Sequence, residues 1–200
     1  YVDWEQIIIE DGEEGSAFIS LANPGAGIDL GAIAKGYIAD RMKDYLIQNG
    51  VKSALIDLGG NILAVGSRPD QSPFVIGIQR PFADRNELCA TIEVTDWSVV
   101  SSGIYERCFT DPDTGEFYHH ILNPDTGYPY QNDLIQVTIL SESSAVGDAL
   151  STSCYALGLE EGLDLINGLE DVYAIFITKD YRIHYSDGLT ERFLVEEITE

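Results

Sequence analysis

Basic side chains are scarce in this sequence. Its 200 residues hold 11 Lys and Arg against 34 Asp and Glu, a formal net charge of −23 with histidine neutral. That balance excludes nucleic acid as a partner, because affinity for it rests on Lys and Arg neutralising phosphates. It also repels any polyanionic ligand at long range, so such a ligand needs a local cation, and a bound divalent metal would supply one. Cysteine is nearly as scarce. Cys89, Cys108 and Cys154 lie far apart with no C-x-x-C pair, which indicates neither a zinc site nor a disulfide framework. The odd count leaves at least one thiol free, and each reads as a small buried residue. No apolar run reaches membrane-spanning length, and no signal peptide is visible. The chain opens at Tyr1 rather than Met, which reads as a fragment or a processed product whose N-terminal address is missing. There is no internal repeat and no low-complexity segment.

What is present is globular. Hydrophobic residues make up 44% and aromatics 10%, enough for one sizeable core and a single domain of two layers. Period-2 patterning predicts strands over 2–10 and 16–22, joined by an acidic turn, and a short strand end over 28–32. Further strands are predicted over 53–57, 63–65, 74–79, 88–94, 97–101 and 136–140, and a closing hairpin over 173–178 and 182–185 ahead of an acidic tail. From 33 to 48 the apolar residues Ile33, Tyr37, Ile38, Met42, Tyr45 and Leu46 recur at helical spacing, and Asn49-Gly50 is a stop. Two more helices are predicted over 143–158 and 159–167. Helices mixed with antiparallel strands give an α+β class, a mostly antiparallel sheet with packed helices.

Four polar, glycine-rich junctions sit at strand ends or helix starts. In Asp29-Leu30-Gly31-Ala32-Ile33-Ala34-Lys35-Gly36, small residues open a helix whose first turn carries Lys35. The free N–H groups there suit a phosphate, although a lysine on a plain solvent face has the same pattern. The P-loop spacing is absent. In Leu58-Gly59-Gly60-Asn61 the paired glycines permit close backbone approach to a ligand, or a simple bend. Residues 103–129 combine Tyr105, Glu106 and Arg107 with the adjacent His119 and His120 and the turn Asn123-Pro124-Asp125-Thr126-Gly127, which is a functional loop or a wet hairpin. In Val146-Gly147-Asp148-Ala149-Leu150-Ser151-Thr152, Asp148 and Thr152 lie one helical turn apart on one face. That pair suits a hard cation such as magnesium, or else Asp148 decorates the first turn and Thr152 packs.

DLGAIAKGY, ALIDLGGNI, SSGIYERCF with YHHILNPDTGYP, and AVGDALSTSCYALGLEEGL, in this order and spacing, resemble the FAD:protein FMN transferases of the ApbE family. The resemblance covers 28–166 and the closing hairpin. It implies an ApbE-like, T-fold-related α+β domain over 1–200 without the preceding segment that supplies isoalloxazine and adenine contacts in the family. It also implies an activity, magnesium-dependent cleavage of the FAD pyrophosphate with transfer of FMN to a Thr or Ser of an acceptor flavoprotein and release of AMP.

Matched motif by motif, the resemblance implies Ala32 (through its carbonyl), Asp148 and Thr152 as Mg2+ ligands, and Lys35, Ile121 (through its backbone), Gly59, Gly60 and Tyr105 as FAD contacts. His120 and Asp148 would be the catalytic groups, with His119 the more dispensable histidine. Asn123 departs from the Asp of many relatives, and both residues form Asx-turns. The expected partners are FAD and a redox-complex subunit or FMN-binding domain, with any membrane tether outside this chain, and the expected compartment is extracytoplasmic. Two rival readings share the same motifs, an FAD pyrophosphatase and an FAD-binding domain without turnover.

Overall fold

A computed structural model describes residues 3–84 and 86–198. The chain begins with a hairpin of β1 (Ile7–Asp11) and β2 (Ala17–Leu21), paired antiparallel and exposed at every position given except the half-buried Leu21. Trp4–Gln6 ahead of it is one tight turn of helix rather than strand, and Val2 lies outside the described residues. The predicted strand end over 28–32 is irregular chain ending in a turn. Its carboxylate Asp29 accepts from the Gly31 N–H at 2.6 Å, a local hydrogen bond that competes with sheet pairing.

Helix α1 (Ala34–Gln48) follows, then β3 (Ala54–Asp57), β4 (Asn61–Val65), β5 (Phe74–Gln79), β6 (Leu88–Val94) and β7 (Ser98–Gly103). A small hairpin, β8 (Cys108–Thr110) with β9 (Phe117–His119), precedes β10 (Leu134–Ser141). The rest is α2 (Ser144–Leu157), α3 (Leu159–Asn167), β11 (Val172–Thr178), β12 (Ile183–Tyr185), α4 (Leu189–Arg192) and β13 (Val195–Glu197). Three features were not predicted as elements: the strands of the β8–β9 hairpin, which falls within the stretch read as a functional loop or a wet hairpin, the single turn of α4, and β13 inside the acidic tail. All are three or four residues long, too short for periodicity to register.

Six strands form the central sheet in the order β12-β11-β10-β7-β4-β3, all neighbours antiparallel. A second sheet, β13-β6-β5, lies against it. The expected two layers are three, because β10 and β11 are covered on both sides. Alternation along β11 shows this directly: Ile175 and Ile177 join the cluster with Ile76, Ile92 and Trp97, whereas Ala174 and Phe176 join the one with Cys154, Tyr155 and Ile166. Strands covered on both faces read as unbroken apolar runs, as VYAIFIT does.

On α1 the apolar stripe is not the packed face. Ile33, Tyr37, Ile38, Met42 and Tyr45 are all exposed, and only Leu46 of that set packs against the β3–β4 cluster. The helix buries Gly36 and Ala39 instead. Of the three free thiols only Cys154 is buried; Cys108 is exposed because it sits on the protruding β8–β9 hairpin, contrary to its reading as a core residue.

Candidate active site

Two motifs separated by 112 residues meet at one hydrogen bond: the Gly36 N–H donates to Asp148 Oδ2 at 2.9 Å. In an uninterrupted helix that N–H would reach back to the Ala32 carbonyl. It turns to Asp148 instead, and among the described residues no main-chain N–H donates to Ala32. The Asp148 carboxylate thus takes the place of the Ala32 carbonyl at the first turn of α1. Gly36 permits this because α2 passes at backbone contact. A Cβ there would lie 2.2 Å from the Ser144 carbonyl oxygen.

Asp148 itself is 3% exposed. Thr152, one turn further along α2, is half-buried. Beside them Ser151 Oγ donates to the Asp148 carbonyl at 3.0 Å and meets Ser102 Oγ at 2.8 Å, which fixes α2 to the end of β7.

Lys35, next to Gly36, reaches across to the glycine loop, where Nζ donates to the Gly59 carbonyl at 3.4 Å. The loop is built by Asp57, whose Oδ1 accepts from the Gly59 N–H at 2.9 Å. Gly59 and Gly60 then take φ values of +67° and +86°, a region side chains avoid. The Gly60 carbonyl accepts from Ser101 N–H, and a Cβ on Gly60 would lie 3.8 Å from Glu106 Oε1. Asn61, the residue after it, is fully buried with Nδ2 unpaired.

His120 closes the ring of residues. Its main-chain N–H donates to the Arg107 carbonyl at 3.2 Å. Loss of hydration pushes its imidazole pKa below the usual 6.5, the Arg107 and Lys35 charges push the same way, and a hydrogen bond to the Arg107 backbone and the Glu106 carboxylate oppose them. His120 is thus held toward the neutral, proton-accepting form while remaining exposed. These electrostatic neighbours also show that Lys35, Glu106, Arg107 and His120 share one locality.

The adjacent His119 points inward. Nδ1 accepts from the Ile121 N–H at 3.3 Å and Nε2 lies 3.1 Å from the Tyr130 carbonyl, which requires the Nε2–H tautomer. Its ring stands edge-on to Tyr155 at 5.6 Å. Burial lowers its pKa as well. Both ring nitrogens of His119 are thus engaged within the protein.

Two expected flavin contacts look different in the structure. Ile121 is 5% exposed, its N–H is bound to His119 and its carbonyl accepts from Tyr130 N–H, so its backbone is already engaged within the protein. Tyr105 donates its hydroxyl to Gln136 Oε1 at 2.7 Å and packs on Phe82 at 5.8 Å, while burial drives its pKa far up. Its ring and the acceptor side of its hydroxyl oxygen are left to offer. The Asx-turn expected at Asn123 is present, with Oδ1 accepting from Asp125 N–H at 2.8 Å.

Residues to which sequence reasoning gave no role join the site. Glu106 and Arg107 lie beside Gly60 and His120, and their signal was their place in the same motif. Asp40 on α1 binds the first residues of α2 through both carboxylate oxygens. Its signal was a carboxylate four residues after Gly36, on the same helix face.

Among the described residues no group of three His, Cys, Asp or Glu side chains is placed to hold a metal. The donors present here are of another kind: one carboxylate, one carbonyl and one hydroxyl. Such a set fits a magnesium ion that keeps waters and shares phosphate oxygens, and does not fit a metal demanding an all-protein cage. A cavity lined by Arg80, Cys89, Ile183 and His184 lies at the β12 edge, the opposite end of the central sheet from β3 and β4.

Known proteins resemble this chain in sequence and in fold. FAD:protein FMN transferases from Klebsiella pneumoniae (strain 342) and Treponema pallidum (strain Nichols) are 44% and 37% identical over 181 and 203 residues, covering 90% and 96% of this chain. The chain spans 55% and 56% of their lengths. The ApbE protein of Thermotoga maritima superposes with a TM-score of 0.82 at 28% identity, over 94% of this chain and 59% of that one. Flavin transferase ApbE from Vibrio cholerae superposes at 0.77 and 29%, over 94% and 58%. The ApbE family model matches residues 1–176, and the chain belongs to the ApbE family.

Proposed function

We propose that this chain carries the phosphoryl-transfer centre of a flavin transferase that cleaves FAD and attaches FMN to a Ser or Thr of an acceptor flavoprotein. The observation that supports it most is the Gly36–Asp148 contact, with Lys35 laid over Gly59 beside it. It joins a helix N-terminus, a lysine, a glycine loop and a carboxylate in one place, on a protein whose net charge of −23 repels phosphates everywhere else.

In this reading the FAD pyrophosphate lies between the Lys35–Gly36 turn and the Gly59–Gly60 loop. Asp148, Thr152 and the Ala32 carbonyl would hold Mg2+, which when bound supplies positive charge to the phosphate oxygens. Lys35 neutralises charge that builds as the phosphorus is attacked. The acceptor hydroxyl oxygen bonds to the FMN phosphorus, the bond from that phosphorus to the bridging oxygen breaks, and AMP leaves with the bridging oxygen. His120, held neutral, takes the hydroxyl proton. Because His120 is exposed, water can replace the acceptor, and hydrolysis of FAD to FMN and AMP is the second reading. An extracytoplasmic compartment belongs to the same proposal.

The test is the intact mass of an acceptor domain carrying a Ser/Thr-Gly-Ala-Thr segment, after incubation with this chain, FAD and Mg2+. A gain of one FMN that a chelator abolishes is the expected result. AMP release without that gain would select hydrolysis, and neither product would overturn both readings.

A further inference from the structure

We propose that Asp40 is a positioning residue of this site: it pins the first turn of α2 to α1 and so sets the approach of the Asp148 carboxylate to the Lys35–Gly36 turn. The inference rests on the functional reading above for its consequence, though not for its geometry.

Three donors converge on this one carboxylate. Oδ1 accepts from Ser144 N–H at 2.8 Å, and Oδ2 accepts from Ser143 Oγ at 2.8 Å and Ala145 N–H at 3.0 Å. Those N–H groups are among the four that a helix start leaves without an internal partner. Ser143, the residue in the capping position, supplies only a long contact of 3.4 Å to Val146 N–H. The negative charge that belongs at a helix N-terminus is therefore lent to α2 by a neighbouring helix.

The register gives this cap its reach. Gly36 and Asp40 are four apart on α1; Ser144 and Asp148 are four apart on α2. Gly36 meets Asp148 and Asp40 meets Ser144, so the helices run antiparallel here and are joined by two rungs one turn apart. Between the rungs Gly36 lets the backbones touch, so the spacing has no slack. Ser144 extends the clamp to a third element: its hydroxyl donates to Asn61 Oδ1 at 2.7 Å and accepts from Ser98 Oγ at 2.9 Å. Asn61 directly follows the Gly59–Gly60 loop. One carboxylate thus registers the lysine turn, the metal-ligand helix and the glycine loop against one another.

The experiment compares the wild-type chain with Asp40→Asn, which keeps the side-chain size and one acceptor oxygen. Amide hydrogen exchange is read first, without ligand. Loss of a charge-assisted rung should speed exchange of the Gly36 amide by about tenfold, with β10 amides unchanged. Faster exchange confined to Ser144 and Ala145, with Gly36 unchanged, would overturn the proposal and leave Asp40 an ordinary cap. FAD binding is then titrated with Mg2+ by flavin fluorescence. The Mg2+ concentration at half-effect should rise about tenfold in Asp40→Asn, with no further rise when the same change is made in Asp148→Asn, because the two act in series. A rise that simply adds in the double variant would also overturn the proposal. If wild-type FAD binding shows no response to Mg2+, the functional reading fails, and the Gly36 exchange result still decides the role of Asp40.

Discussion

The two helices that carry the site are packed by opposite means. Helix α2 is a core helix: Cys154 and Tyr155 sit at 0% and 1% exposure in the cluster with Ile166, Ala174 and Phe176, and its other buried positions are Ser144, Gly147, Asp148 and Ser151. Helix α1 buries only Gly36 and Ala39 and turns Tyr37, Ile38, Met42 and Tyr45 outward. It is held on the α2 side by Gly36 and Asp40 and on the β3–β4 side by Ala39 and Leu46. The polar groups of the site are thus placed by a hydrogen-bonded contact between small residues, a kind of interface that tolerates little change in spacing.

Breaking the polar join between the helices should have the largest effect. Asp148→Ala removes both the α1 contact and the expected ligand, and FMN transfer, read as acceptor mass gain per unit time, should fall by at least about 10²-fold. His120→Ala should lower the rate by about 10²-fold or more with binding of FAD retained. In the unaltered chain the acid limb of the rate profile should lie below pH 6.5, because the imidazole of His120 is held toward its neutral form; a limb above 6.5 would remove His120 as the base.

Wedging the helices apart is the next effect in size. Gly36→Ala places a methyl group against the Ser144 carbonyl and should cost about 1–3 kcal/mol, visible as a Tm several degrees lower in calorimetry. His119 then gives a pH signature on the α2 side. Its folded pKa is depressed below 6.5 by burial, so the unfolded chain binds the proton more readily. Its contribution is present in full above pH 6.5 and is lost as pH falls through the folded value. Tm should therefore decline over that interval in the wild-type chain and decline less in His119→Gln. The smallest effect belongs to the outward face of α1. Met42→Ser should change stability by no more than about 0.5 kcal/mol in urea unfolding, whereas a loss above about 2 kcal/mol would show that the stripe is packed in solution.

Much of this arrangement could be read from the sequence, for reasons that differ between regions. The strands over 74–79 and 88–94 and the helix over 159–167 fall where patterning put them, because each alternates cleanly or carries an amphipathic stripe. Asp148 accepts from Gly36 next to Lys35, and Lys35 donates to the Gly59 carbonyl, so residues of three of the quoted motifs are neighbours. The packed face of α1 was illegible because it is made of Gly, Ala and Asp, which carry no hydrophobic period. Asp40 had only its spacing from Gly36 to mark it, since two of its three partners are main-chain N–H groups of another helix, which the sequence does not reveal. Residue type and spacing do not distinguish His119 from His120; the family resemblance alone ranked them. Strand alternation separates them, sending one inward to Tyr155 and the other out to Arg107.

The hydrogen bond between Gly36 and Asp148 also bears on synthesis. Because its partners are 112 residues apart, a growing chain can finish α1, β3 and β4 and still lack the Asp148 carboxylate of the candidate centre, which has not yet left the ribosome. Loop closure over that distance places the centre among the late contacts to form. Under the proposed function, flavin transfer would be a report on completed folding, and a chain interrupted before α2 would retain the lysine turn and the glycine loop without the carboxylate that meets them.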